Sequence, residues 1–505
     1  MTTTTFERAP ELLPDVWAGH ARWRGDRVAL VCGERRLTWR AFDARMNRVA
    51  NTLGDAGLIP GDRVAILMAN GVEMMEAMFG ALKGGFVAVP LSTMMPPATI
   101  AAMVADSGAR ALIVSPEHRP LAADVPPGSF RPDDGWLDAA SEREPDVRLA
   151  PDDEAVIIYS SGTTGVPKGI VHTHGTRYHL AYSMAVELGL TQRSTALATT
   201  PLYANGTWLM LLPALFTAAP LVVLEKFAPA AFLNAVKHEQ VTHCFLVPPQ
   251  FPPLLSAPEL DGTDLSSLRA VLSGGAPFPI EAKRETLRRI TPNLFELYGC
   301  TEGVATLIGP EEVLERPSSV GRPLIGCEIA VVGDDDRRLG PGEIGEIAGY
   351  GPGLMKGYHN RPDATAEAVW RDERGRAWFR TGDVGRLDAD GHLSILDRKK
   401  DMIVSGGFNV YAADVEQVVA AHPQVGEVAV IGVPDARWGE VPVALVVPAG
   451  QADAAAIMAW SNERLAKPQR LARIELRATL PRNGLGKVLK RELREPYWRD
   501  ATHGR

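Results

Sequence analysis

An α/β fold is predicted for most of this 505-residue chain. It would form a large N-terminal domain of layered α/β subdomains with a β-rich subdomain, followed by a small α+β C-terminal domain. Three observations lead there. Short apolar runs alternate with amphipathic stretches up to about residue 310. Hairpin-like runs around Asp/Gly turns then take over, and beyond about residue 412 one helix is followed by two strands.

In chain order, "RVAILMAN" (63–70), "GVEMMEAMFGALKGG", "FVAVPL", "ATIAAMVADSG" and "ARALIVS" read as strand, helix, strand, helix, strand, the pattern of a parallel α/β layer. The pattern returns at "APLVVLEKF", "PAAFLNAVKHEQ", "VTHCFLVP" and "LRAVLSGG". "CEIAVVGDDDRRLGPGEIGEIAGYG" holds two strand-like runs around turn residues, and "VGRLDADGHLSILDRKKDMIVSGG" repeats the arrangement with "DADG" as its turn. "AADVEQVVAAHP" places Val415, Val418 and Val419 on one helical face, with acids in the first turn. "EVAVIGV" and "VPVALVVP" then supply strands. The domain junction is expected near "LDRKKD" (396–401).

Composition excludes several classes. Hydrophobic content of 46% and charged content of 23% suit a soluble globular protein, and a formal charge of −8 leaves no basic footprint for nucleic acid. Cys32, Cys244, Cys300 and Cys327 are scattered without a CxxC pair, which favours reduced thiols over a disulfide frame or a zinc site. The N-terminus lacks a basic segment followed by an apolar stretch, and no apolar run is long enough to span a bilayer. A cytoplasmic location is expected, with a homodimer left open.

Five stretches could carry chemistry. "YSSGTTGVPKG" (159–169) follows an apolar run, and its glycines and hydroxyls suit a phosphate, although Pro167 and Gly169 flank Lys168 where the familiar phosphate loop ends in Gly-Lys-Ser/Thr. "ELYGCTEG" (296–303) sets an aromatic beside glycine and then offers a hydroxyl and a carboxylate, the hard ligands a magnesium ion favours. "WFRTGDVG" (378–385) puts Asp383 in a turn after an apolar strand, where a carboxylate can accept two ribose hydroxyls. "LDRKKDMIVSGGFNVYAADVE" (396–416) and "PRNGLGKVLKREL" (481–493) complete the set. Taken singly, each has a bland reading as a turn, a charged linker or a solvated tail. "HTHGTRYH" places His172, His174 and His179 close together, but without Cys or HExxH context packing is preferred over a metal site.

Together and in this order, the five resemble the adenylate-forming superfamily of acyl-CoA synthetases, luciferases and peptide-synthetase adenylation domains. The resemblance runs from "LTWRAFD" (37–43) to "KRELRE". It implies an AMP-forming acyl-CoA ligase: carboxylate and ATP give acyl-adenylate and pyrophosphate, and coenzyme A then gives acyl-CoA and AMP, with Mg²⁺ required. Two alternatives are an enzyme that loads a carrier-protein thiol and a non-catalytic nucleotide- or acyl-binding relative.

Carried over by residue, the resemblance implies that Ser160, Ser161, Gly162, Thr163, Thr164, Gly165 and Lys168 grip the β/γ-phosphates. Gly274, Gly275 and Ala276, with Glu296, Leu297, Tyr298 and Gly299, belong to the nucleotide site. Thr301 would meet the α-phosphate and Glu302 the Mg²⁺. Asp383 and Arg398 resemble the ribose ligands, with Ile395 nearby, and Lys487 matches the lysine that bridges carboxylate and α-phosphate.

The resemblance also implies a 1–397 N-terminal domain, a hinge at 398–400 containing Lys400, and a mobile 401–505 domain that rotates between half-reactions. Ser405, Gly406, Gly407 and Phe408 would line the path of coenzyme A. Tyr203, Asn205, Trp208, Leu297, Gly303 and Val304 would line the acyl pocket. The pocket Asp of amino-acid activators and the His of many aryl and fatty-acyl ligases are both missing from "PLYANGTW" (201–208), so Tyr203 or Trp208 is expected to substitute. Leu297, which is Gly in many long-chain and cinnamate-type relatives and Arg in malonate ligases, argues for an apolar medium-chain or aromatic acid and against a dicarboxylate.

Overall fold

The structure is a computed structural model that describes residues 11–125, 135–160, 167–435, 437–482 and 486–502. It divides into two compact units: one of Met1–Pro317, Pro323–Glu328 and Tyr350–Val369, the other of Ser318–Arg322, Ile329–Gly349 and Trp370–Arg505.

The first unit holds two sheets. In one, the strands run in the order Gly357–Tyr358, Lys168–Thr173, Glu154–Ser160, Val87–Pro90, Arg63–Leu67, Ala111–Val114. Val87–Pro90 and Ala111–Val114 both pair in parallel with Arg63–Leu67, as the strand–helix alternation predicts. The crossover helix Val72–Lys83 is buried at every position except Glu73, because it is covered from several sides at once. Helix Pro97–Ser107 ends at Gly108, whose φ of +63° supplies the left-handed cap.

In the other sheet, strands run Ala305–Ile308, Leu294–Gly299, Ala270–Gly274, His243–Leu246, Ala196–Ala198, Leu221–Val223, Val28–Cys32, Arg35–Thr38. Its central strands are parallel and apolar, and one core gathers Phe232, Leu246, Phe251, Val271 and Leu294 on them. Parallel strands covered on both faces need such continuous apolar runs. The carboxyl ends of these strands lead into the glycine-rich and Thr-Glu segments singled out above.

The second unit begins with the β-rich segment. Its strands lie in the order Glu328–Val332, Gly345–Tyr350, Ala377–Leu387, Val369–Arg371, with Leu393–Arg398 paired antiparallel to Ala377–Leu387. "DADG" is the turn of that hairpin, as expected, with Gly391 at φ +83°. The α+β part follows: Phe408–Val410, Ile403–Ser405, Gly439–Pro448, Val425–Asp435 in sheet order, and Arg473–Leu476 parallel to Gly439–Pro448. Helix Ala412–Ala420 buries Val415 and Val419 in a core with Ile403, Val430, Ala444 and Ile457, and Val418 packs partly buried against it.

The division by compactness therefore lies upstream of the 398–400 junction, since the β-rich segment groups with the C-terminal part. Among the described residues, no helix is long and apolar enough to cross a membrane.

Candidate active site

In the first unit, the phosphate-loop motif joins two antiparallel strands. Ser160 ends the first and Lys168 begins the second, and the two are register partners, so they stand as the feet of the loop. Ser161, Gly162, Thr163, Thr164 and Gly165 lie outside the described residues. On its far side, Lys168–Thr173 pairs with Gly357–Tyr358, which sets Tyr358 opposite Ile170. The Lys168 ammonium sits 4.9 Å from the centroid of the Tyr358 ring, a cation–π contact. The Tyr358 hydroxyl in turn donates to Glu302 Oε1 at 2.8 Å. A cation and a carboxylate far apart in sequence are thereby brought to one locale. Tyr358 has no place among the sequence candidates. Its only signal is "GYHN", an aromatic after a glycine, common in turns.

Thr301 and Glu302 form a tight turn after strand Leu294–Gly299, closed by bonds from Cys300 N to Val304 O at 3.0 Å and from Gly303 N to Cys300 O at 3.1 Å. The Met355 N–H donates to Glu302 O at 2.8 Å, fixing the turn against segment 353–358. Gly303 is obligatory: its φ is +106°, and a Cβ there would lie 1.9 Å from Gly353 O. The Glu302 side chain presents oxygen donors of the kind a magnesium ion requires, with one oxygen steadied by Tyr358.

Gly274 and Leu297 are register partners on adjacent parallel strands, and a Cβ on Gly274 would approach Leu297 O to 2.7 Å. Gly275, at φ +89°, and Ala276 then turn outward, while Tyr298 pairs with Thr306 and Gly299 with Ala305. Glu296 is placed differently from the rest. It is buried and ion-paired with Lys283 at 2.5 Å, and burial raises its pKa in spite of that partner. Glu296 thus ties helix Ile280–Arg289 to the strand, a bracing position beneath the nucleotide-site candidates.

Of the acyl candidates, Leu297 and Val304 are buried on either side of the Thr301–Glu302 turn. Tyr203 is half-buried, and burial raises its phenol pKa. Trp208 is fully buried: its indole N–H donates to Leu202 O at 3.1 Å and its ring lies 5.6 Å from Phe79, so it packs as core. Asn205 Oδ1 accepts from Arg177 Nη1 at 2.9 Å, and the Arg177 guanidinium lies 4.7 Å from the Trp208 ring. His172 rests against the Thr301 backbone; burial holds its imidazole well below the ordinary value, and Arg177 adds to that. His174 is lowered to about 4 by burial, while His179 Nδ1 bonds the Tyr182 hydroxyl at 2.8 Å. The three histidines have separate surroundings and do not converge on a metal.

In the second unit, Asp383 and Arg398 are register partners, and Arg398 Nε meets Asp383 Oδ1 at 2.8 Å. Asp383 is buried, with its N–H donating to Thr381 Oγ1, while Ile395 pairs with Gly385 on the same hairpin. Lys487 follows Arg482, whose bridge to Val488 closes its loop. Residue Lys487 keeps solvent contact overall, yet its ammonium is lowered to about 8, first by burial and then by Arg398, with Asp383 opposing. Lys400 is also lowered by burial, and its carbonyl accepts from Arg494 Nη1 at 2.6 Å.

Ser405 and Phe408 are register partners of a hairpin with Gly406 and Gly407 at its tip, φ +58° and +84°. A two-residue turn with both φ positive favours glycine whatever binds there. Gly406 additionally faces the Trp438 ring, 2.7 Å from where a Cβ would stand. Phe408 is 62% exposed, a large aromatic left in water.

The chain is similar to known proteins over nearly its whole length. The sequence profile described as AMP-binding enzyme matches residues 17–359, and that described as AMP-binding enzyme C-terminal domain matches residues 414–487. The feruloyl-CoA synthase of Amycolatopsis sp. is 39% identical over 483 residues, covering 94% of this chain and 97% of that protein. The long-chain-fatty-acid–CoA ligase FadD13 of Mycobacterium tuberculosis is 35% identical over 479 residues, covering 92% and 93%. The o-succinylbenzoate CoA synthetase of Bacillus subtilis, solved with its acyl-adenylate, superposes with a TM-score of 0.87 at 32% identity, covering 95% of this chain and 98% of that one. The same enzyme with ATP and magnesium ion gives 0.86 at 31%.

Proposed function

From the premise that the chain belongs to the AMP-binding enzyme family, we propose that it activates an aromatic or apolar medium-chain carboxylic acid and joins it to coenzyme A in the cytoplasm. The reaction class follows from the CoA ligases and synthetases that the chain resembles in length and sequence: this is an AMP-forming acid–thiol ligase that uses ATP, Mg²⁺ and coenzyme A. A carboxylate is a poor electrophile with a poor leaving group, and attachment of AMP corrects both faults. Its approach to a triphosphate is opposed by like charge, which magnesium offsets when bound.

The site residues have matching tasks. Ser160 and Lys168 hold the departing pyrophosphate from the feet of their loop, Thr301 binds the α-phosphate, and Glu302 holds the metal. Asp383 and Arg398 orient the ribose, and Lys487 offsets charge while the adenylate forms. The chain pivots at 398–400, and the 405–408 hairpin receives the pantetheine arm.

The observation that supports the substrate class is the burial of Leu297 and Val304, two apolar residues on either side of the Thr301–Glu302 turn. The feruloyl-CoA synthase relative, named for an aromatic acyl group, supports the ring-sized reading.

The test is pyrophosphate release over a panel of aryl and fatty acids, with and without coenzyme A. Release that yields acyl-CoA is expected with aryl or medium-chain acids. Adenylation without any CoA thioester would point to a carrier-protein acceptor, and silence on every acid to a binding protein. Leu297→Gly is expected to move the preference towards longer or bulkier acids, by about tenfold in kcat/KM per step of size. An unchanged chain-length profile would remove Leu297 from the pocket wall.

A further inference from the structure

Arg177 stands out among the buried polar groups. It lies on helix His174–Glu187 at 2% exposure. Among the described residues it has no carboxylate partner, and burial alone lowers its pKa to about 9. Nη1 is used by Asn205 Oδ1, and the face of the guanidinium is covered by Trp208. Nε and Nη2 are buried and, among the described residues, make no hydrogen bond. These two nitrogens share one edge of the planar group, and their parallel N–H bonds form the fork that an oxygen pair or a single strong acceptor fits.

A guanidinium taken out of water with half its donors unused is unfavourable unless something supplies the acceptor. Two contacts set the Arg177 side chain beside segments that the family resemblance assigns to the site. Asn205 and Trp208 belong to "PLYANGTW", the segment that corresponds to the acyl pocket, and His172, which feels the Arg177 charge, rests against the backbone of Thr301. The segment that lacks the usual pocket Asp and His has an arginine reaching into it from the neighbouring helix.

We propose that Arg177 is a specificity-determining residue of the acyl site, whose Nε/Nη2 edge receives an oxygen acceptor carried by the acid away from the carboxylate that is activated. The substrate class narrows to aryl acids bearing a ring hydroxyl or a second carboxylate. Leu297 still argues against a second carboxylate at its own apolar surface near the nucleotide end. Arg177 reads a different portion of the molecule, where a second carboxylate would meet a cation, and there the expectation drawn from Leu297 alone is revised. The inference rests on the ligase reading above.

The competing role is a brace between helices His174–Glu187 and Asn205–Thr217 that never meets substrate. The two separate in a substrate ratio. Wild type, Arg177→Met and Arg177→Lys are assayed by pyrophosphate release with three acids on one ring: bare, hydroxyl-bearing and carrying a second carboxylate. Thermal melting is followed alongside.

Wild type is expected to favour at least one oxygen-bearing acid over the bare acid by about tenfold or more in kcat/KM, since a site built to hydrogen-bond a group discriminates strongly against its absence. Arg177→Met is expected to cut that ratio at least about tenfold, and Arg177→Lys, which keeps charge but loses the fork, to restore only part of it. The acid that gains identifies hydroxyl or carboxylate as the group read. A wild-type preference for the bare acid, or a ratio unmoved by Arg177→Met with melting lowered, would make Arg177 a brace and overturn the proposal while leaving the ligase reading intact. No release with any acid, fatty acids included, would overturn both.

Discussion

Lys487→Ala is expected to slow acyl-adenylate formation by about a hundred- to a thousandfold, the usual cost of removing one preorganised group from a developing charge. Thioester formation from preformed acyl-adenylate should be largely spared, because the lysine's task ends when pyrophosphate departs. Measuring the two half-reactions separately decides it, and an equal loss in both would remove Lys487 from that role.

A pH dependence accompanies this. The ammonium is the useful form, and burial with Arg398 nearby lowers its pKa from 10.5 to about 8. The first half-reaction should therefore decline as pH rises through about 8, where the charged form is lost. Lys487→Arg, charged throughout, should flatten that limb even if its overall rate is lower.

Gly303→Ala is the second large effect. The residue needs φ +106° and has Gly353 O 1.9 Å from the site of a Cβ, so strain and collision act together. Each costs about 1–3 kcal/mol, and the turn carrying Thr301 and Glu302 must move to relieve them. Adenylation should fall at least about a hundredfold, since misplacing reacting groups by an ångström has that effect. Gly391→Ala is the control for strain alone, because Gly391 has φ +83° with nothing within 4 Å. If Gly303→Ala were no worse than Gly391→Ala in pyrophosphate release and melting temperature, the Gly353 contact would not define the site.

Where a local rule governs, the sequence was sufficient. The parallel strands around "RVAIL" are set by continuous apolar runs buried on both faces, and the hairpin around "DADG" by turn residues close in sequence. The Gly406–Gly407 pair shows the limit of that reading. The chemistry expected there is close passage of a bound chain, and the turn geometry favours glycine at both positions as well, so the residue type alone does not separate the two reasons. Glu296 sits within a recognisable motif, but its side chain faces Lys283 in the interior, and only strand orientation decides which way it points.

The sequence by itself pointed to the class of chemistry through resemblance, because five motifs in one fixed order resemble the adenylate-forming superfamily although none is specific alone. It also settled the strand-and-helix order, which depends on the period of apolar residues along the chain. Only the tertiary structure decided which distant groups meet. Sheet register set Tyr358 between Lys168 and Glu302, and helix packing turned Arg177 onto Asn205. Those pairings depend on register and interior burial, which bring together residues that no local pattern relates.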